Sequence, residues 1–172
     1  ADNQLNLARS QDSTLITAAS LESAKIQFAN GDYFFATLGM EPGMLTWKDW
    51  MQVGHAAGQR GNKAAALEAL RHVVEEDEKN PAPYVEMAKI SLALGDSLAV
   101  ENLQPAIKLA PKDVQVGMVN ARVLMSQGRV STAAQVVTDL NARTTSEIKD
   151  AYTQRAIRTL SAELKAAQGD TA

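Results

Sequence analysis

The sequence predicts an all-helical protein built as an array of helical hairpins, and three observations carry that expectation. Hydrophobic residues make up 45% of the 172 residues but aromatics only 5%. Alanine is abundant and short runs of Val, Ile, Thr and Tyr are scarce, which suits helices packed through small side chains. Four glycines then recur in similar surroundings: "FANGDYFFA" around Gly31, "GQRGNKAAA" around Gly61, "LALGDSLAV" around Gly95 and "MSQGRVSTA" around Gly128, separated by 30, 34 and 33 residues. Finally, each follows an apolar-periodic segment of about fifteen residues and precedes another. A glycine just past a helix end takes the left-handed conformation without a Cβ clash. A period between about 20 and 50 residues is the mark of a stacked array.

Taken in order, the elements are four hairpins at about 17–46, 47–80, 81–113 and 114–143, then a capping helix at 144–167, all in one domain. The second hairpin is the clearest. It reads Trp50, Val53, Gly54 and Ala57 in its first helix, then Ala66 and Leu70 in its second, with Gly61 as the turn. Gly54 is read as a place where a neighbouring helix passes close, whereas Gly58 fits no position of the pattern. The third hairpin carries Tyr84, Met87 and Ala88, closed by Pro111. The fourth carries Gly117, Asn120, Ala121 and Leu124, then Ala133 and Val137. The first departs most: Ser20 and Ser23 stand where large residues are expected, although Ala24, Gly31 and Ala36 fit, and "GMEPG" at 39–43 cuts its second helix short.

These spacings resemble the tetratricopeptide repeat (TPR), with W-x2-L-G-x2-Y in the first helix, A-x3-F in the second and proline near the end. The resemblance covers residues 14–142 and implies a right-handed α-solenoid. Pro105 falls inside the second helix of the third hairpin, where it removes a backbone donor and is expected to kink or shorten that helix. At the far end, Thr144 and Glu147 have capping-box spacing. Ile148, Tyr152, Ile157, Leu160 and Leu164 then approach one face, as a helix covering the last repeat requires. "QLNLARSQD" near the start resembles the tail of a preceding second helix.

The formal net charge of −3 gives no basic excess to attract nucleic acid. There are no cysteines, so disulfides and thiolate sites are excluded. No stretch approaches the ~18 apolar residues of a membrane span. The N-terminus has neither the basic start nor the apolar segment of a signal peptide. His55 and His72 stand seventeen residues apart, too few for a zinc site of three or four ligands. "EEDE" at 75–78 lacks the spacing of a calcium loop, and no nucleophile elbow, P-loop or dinucleotide fingerprint is present. The sequence therefore points away from catalysis and from cofactors.

The resemblance implies a groove lined by the first helices. Its basic ladder would be Lys25, His55, Lys89 and Arg122. Apolar flanks would come from Met51, Val85 and Met118 on one side and Phe28, Leu92 and Met125 on the other. Such a surface would grip a protein or peptide with acidic residues between apolar anchors, apolar contact giving affinity and charge giving register. Cations at these positions disfavour the carboxylate clamp of chaperone-binding repeats. The stretch 109–140, with Ala110–Pro111, Asp113, Gln127–Gly128–Arg129 and Asp139–Leu140, is similar to TPR lipoproteins of tight-adherence (Flp) pilus assembly. That likeness implies a periplasmic assembly factor, joined to the outer membrane by a lipid anchor upstream of Ala1. The alternatives are an interaction or oligomerisation segment of a larger protein and a cytoplasmic secretion chaperone.

Overall fold

The computed structural model describes residues 45–146 and 148–169. Seven helices and no strands occur among them. They are α1 (Trp47–Gln59), α2 (Lys63–Glu76), α3 (Ala82–Ala93), α4 (Ala99–Leu109), α5 (Val114–Ser126), α6 (Val130–Ser146) and α7 (Ala151–Gln168). The chain divides into two compact units, Ala1–Glu76 and Asp77–Ala172. The first expected hairpin, with Gly31, Lys25 and Phe28, lies outside the described residues, apart from Leu45 and Thr46.

Helices begin where short polar side chains satisfy the orphan N–H groups of a first turn. Thr46 and Asp49 form a reciprocal capping box on α1, and Asn62 accepts from the Ala65 N–H on α2. Asp96 accepts from the Leu98 N–H ahead of α4, and Asp113 from the Val116 N–H on α5. Three of the four expected turns fall among the described residues, and these are present. Gly61, Gly95 and Gly128 have φ of 76°, 66° and 73°. At each, the following N–H reaches back to the carbonyl of Ala57, Ser91 or Leu124 at 2.8–2.9 Å. This six-to-one bond is the Schellman closure, and it requires the left-handed residue that glycine supplies.

In the first unit α1 packs on α2 through Trp50, Val53, Ala69 and Val73, with Leu45 beside them. In the second, Val85 and Ala88 of α3, Ala99, Leu103 and Ala106 of α4, and Val116, Val119 and Val123 of α5 make one cluster. The opposite side of α5 presents Met118, Ala121 and Leu124 to Ala133, Val137 and Leu140 of α6 and Ile157, Leu160 and Leu164 of α7. The small residues seven positions before the turns, Ala88 and Ala121, are fully buried, so helix axes can approach closely there. Ser91 is a fully buried polar residue in this core, and its hydroxyl accepts from Asn102 at 2.9 Å. The helix α4 runs through Pro105 as one element and, at 11 residues, is the shortest of the seven.

Two readings of the C-terminal region need correction. Residues 144–146 end α6, and the last helix starts at Ala151 with Asp150 as its cap. Glu147 lies outside the described residues. Tyr152 is exposed at 77%, while Ile157 and Leu160 are fully buried. At about 100° per residue, Tyr152 is roughly 140° around the helix from Ile157. Ile148 precedes the helix and packs half-buried against the α5–α7 core.

Asp150 accepts from the N–H groups of Thr153 at 2.7 Å and Tyr152 at 3.4 Å. Its pKa is held below the ordinary carboxylate value, chiefly by the Thr153 side chain and then by the Thr153 N–H. Because the folded-state pKa is lowered, the stabilisation is complete above the ordinary aspartate pKa of about 4 and is lost as pH falls through the lower folded value. Urea midpoints measured against pH should therefore fall less steeply on the acid side in Asp150→Asn than in the parent. Identical acid limbs would remove this carboxylate from the cap.

Candidate partner-binding face

Counting back from the turn glycine, the groove residues fall ten, six and three positions earlier, an i, i+4, i+7 set on one helix face. Position ten holds Met51, Val85 and Met118; position six holds His55, Lys89 and Arg122; position three holds Gly58, Leu92 and Met125. The structure places these on α1, α3 and α5, the first helix of each hairpin.

Position ten is used for packing. Val85 and Met118 are 6% and 4% exposed. Val85 lies in the α3–α5 cluster, and Met118 lies in the α5–α7 cluster with Leu140 and Ile157. Neither offers an accessible contact, which corrects their assignment as groove residues. The cause is that each first helix inside the second unit must bury two sides, one on its hairpin mate and one on the next helix. Met51 is half-buried against the α1–α2 core. Leu92 and Met125, at position three, are half-buried at the edges of the two cores of the second unit.

At position six the polar heads are met from within the chain. The His55 Nε2 lies 2.7 Å from the Gln59 amide nitrogen. The Lys89 Nζ lies 3.3 Å from Glu86, one turn back on α3. The Arg122 guanidinium makes two bonds to Glu163 of α7, Nε to Oε2 at 2.9 Å and a second nitrogen to Oε1 at 3.1 Å. The side chains of this pair are 38% and 40% exposed, so solvent keeps its contribution to about 0.2–1 kcal/mol. Its two-pronged geometry fixes the orientation of α7 more than it adds stability. The i,i+3 spacing of Glu86 and Lys89 is readable in the sequence. Glu163, 41 residues from Arg122, is not.

His72 belongs to the α1–α2 packing. Its ring stacks on Trp50 with centroids 4.3 Å apart, and its Nδ1 lies 3.4 Å from Glu75. Among the described residues, no three His, Cys, Asp or Glu side chains gather where they could hold a metal ion. No described helix is long and apolar enough to cross a membrane.

The described residues thus form helical hairpins in which the first helices α3 and α5 carry ion pairs at Lys89 and Arg122 beside buried apolar residues. No protein family, curated protein or solved structure matches this chain.

Proposed function

We propose that this chain is a non-enzymatic protein-interaction scaffold of the tetratricopeptide-repeat type. Its hairpins would stack as a right-handed α-solenoid, and its first helices would bind an acidic, apolar peptide. The observation that carries this reading is the constancy of register around the turns. Gly61, Gly95 and Gly128 share left-handed φ and the same backward hydrogen bond. The small residue seven positions earlier is buried each time, as Gly54, Ala88 and Ala121.

In this reading the partner's carboxylates compete with Glu86 and Glu163 for Lys89 and Arg122. The half-exposed Arg122–Glu163 pair is weak enough to exchange. The Lys89 end of the other pair is open to solvent while Glu86 is nearly buried, and Leu92 and Met125 supply apolar contact beside them. The likeness of residues 109–140 to pilus-assembly lipoproteins gives the reading its setting, an assembly factor of a bacterial pilus or secretion system in the periplasm.

The test is capture of partners from the native organism by the parent chain and by Lys89→Glu/Arg122→Glu/Glu163→Arg. The third change restores the pair with α7 in inverted order, so folding is protected while the face loses its positive charge. A partner recovered by the parent should be retained about tenfold less by the variant, the equivalent of two rim charge pairs, with unchanged helicity by circular dichroism. Equal retention would end the proposal that this face binds it.

A further inference from the structure

The α5–α6 hairpin carries a pocket of about 310 Å³, lined by Gly117 and Asn120 of α5, Val136, Asp139 and Leu140 of α6, and closed at one end by Ile107 and Pro111. Such a volume stands at the lower end of the range for ligand pockets. All of these residues lie within the second compact unit.

The repeat register explains why the pocket is there. In the α1–α2 hairpin, Trp50 stands eleven residues before the turn glycine, with Val53 eight before it. The indole packs with Val53, Ala69 and Val73 and stacks on His72. The same counts from Gly128 give Gly117 for Trp50, Asn120 for Val53, Val136 for Ala69, Asp139 for His72 and Leu140 for Val73. Every one of those five lines the pocket. In the α3–α4 hairpin the position of Trp50 is taken by Tyr84, packed against its core. Two hairpins therefore fill this nest with an aromatic ring of their own, and the third has glycine there.

The lining has also changed in polarity. Apolar Val53 and the aromatic His72 are replaced by an amide and a carboxylate. Asn120 is half-buried and its side chain makes no hydrogen bond among the described residues, and no described polar side-chain atom is both buried and unpaired. Its amide is therefore presented to accessible space at the pocket. The Arg143 guanidinium is held at the rim by the Lys112 carbonyl at 2.7 Å and by Asp139 at 3.8 Å. Asp113 stands beside the pocket while capping α5. A rim of acceptors and the Arg143 guanidinium thus borders an apolar floor.

We infer that this pocket receives a tryptophan side chain from a partner polypeptide, in the nest that Trp50 fills for its own hairpin. An indole combines a large apolar face with a nitrogen that only donates. That matches an apolar floor of Val136, Leu140, Ile107 and Pro111 edged by the Asn120 and Asp139 oxygens. The pocket uses none of the residues of the α3 and α5 face described above, so it stands apart from the groove reading.

The test uses the full chain labelled with ¹⁵N and titrated with N-acetyl-tryptophanamide, with N-acetyl-phenylalaninamide as comparator. The tryptophan probe should give saturable shifts at the Gly117 N–H and the Asn120 side-chain amide, with affinity about fivefold above that of the phenylalanine probe, the equivalent of one net hydrogen bond. Gly117→Trp, which supplies a ring in cis once Leu140 Cδ2, 3.1 Å from the added Cβ, gives way by a few tenths of an ångström, should abolish the shifts. Asn120→Leu, which keeps the floor and removes an acceptor, should narrow the difference between the probes. Lys89→Glu should leave both titrations unchanged, separating this pocket from the ion-pair face. No saturable shift in the parent, or undiminished binding in a folded Gly117→Trp variant, would overturn the inference. If Gly117→Trp does not fold, an undiminished probe preference in Asn120→Leu would overturn it instead.

Discussion

Leu160→Ala should destabilise the Asp77–Ala172 unit by about 2–5 kcal/mol, the range for deleting a fully buried leucine. Leu160 has no exposed surface and lies in one cluster with Ile157, Leu164, Met118 and Leu140. Through that cluster α7 covers the outer sides of α5 and α6. Removing three side-chain carbons leaves a cavity between helices that are already close-packed, and the surroundings can collapse only partly. Against a total stability of about 5–15 kcal/mol for a domain, this is a large share. Tyr152→Ala, on the exposed side of the same helix, should stay within about 0.5 kcal/mol. Urea melts followed by circular dichroism measure both. Equal midpoints for the two variants would mean that α7 does not cover the core.

Those two residues also show what could be read in advance and what could not. Ile157, Leu160 and Leu164 were legible because a spacing of three and four fixes a helix face whatever lies opposite. Tyr152 is close to them in sequence but lies roughly 140° around the helix from Ile157, which puts its ring on the exposed side. The start of α7 at Ala151 is a second case in which local chemistry leaves two choices. Thr144–Glu147 and Asp150 both offer cap chemistry, and the sequence contains no glycine after Arg143 to stop α6 before 146. The choice between the two depends on which N–H groups need partners, a tertiary outcome.

The turns were legible because left-handed backbone is a local requirement. Gly61, Gly95 and Gly128 have open space around any added Cβ, so conformation alone selects glycine there. The binding face was legible only as a direction on each helix. Periodicity showed that Val85, Lys89 and Leu92 share a side but could not reveal that Val85 is covered by α5. Nor could it show that Arg122 faces Glu163. The pocket in the α5–α6 hairpin lies between these cases. Gly117 and Asn120 are visible in the sequence at the positions of Trp50 and Val53, and only the packing of α6 shows that Leu140 leans over Gly117, its Cδ2 3.1 Å from an added Cβ, with open space beside it.

Gly54→Val should destabilise the α1–α2 hairpin by about 1–3 kcal/mol, the usual cost of overpacking. Helix propensity alone gives the opposite sign, since an interior glycine costs about 0.8–1.0 kcal/mol relative to alanine and valine lies between them. Packing decides. A Cβ at this position would stand 2.7 Å from Leu70 Cγ, 2.9 Å from its Cδ2 and 3.3 Å from the Ala66 carbonyl oxygen. Leu70 is itself fully buried, and the Ala66 backbone is fixed in α2, so little can move aside. A double-mutant cycle separates this close approach from a simple loss of core. Gly54→Ala and Leu70→Ala each change stability alone, but truncating Leu70 removes the atoms that the new methyl would strike. The double variant should therefore be more stable than the sum of the singles requires, by about 1 kcal/mol, within the range for residues in contact. Gly61→Ala combined with Leu70→Ala should show no such relief, because the cost at Gly61 comes from its φ of 76° and not from a neighbour. Thermal melts of the six variants decide the matter. Strict additivity in the Gly54 cycle would show that helix contact is not what keeps glycine in the middle of α1.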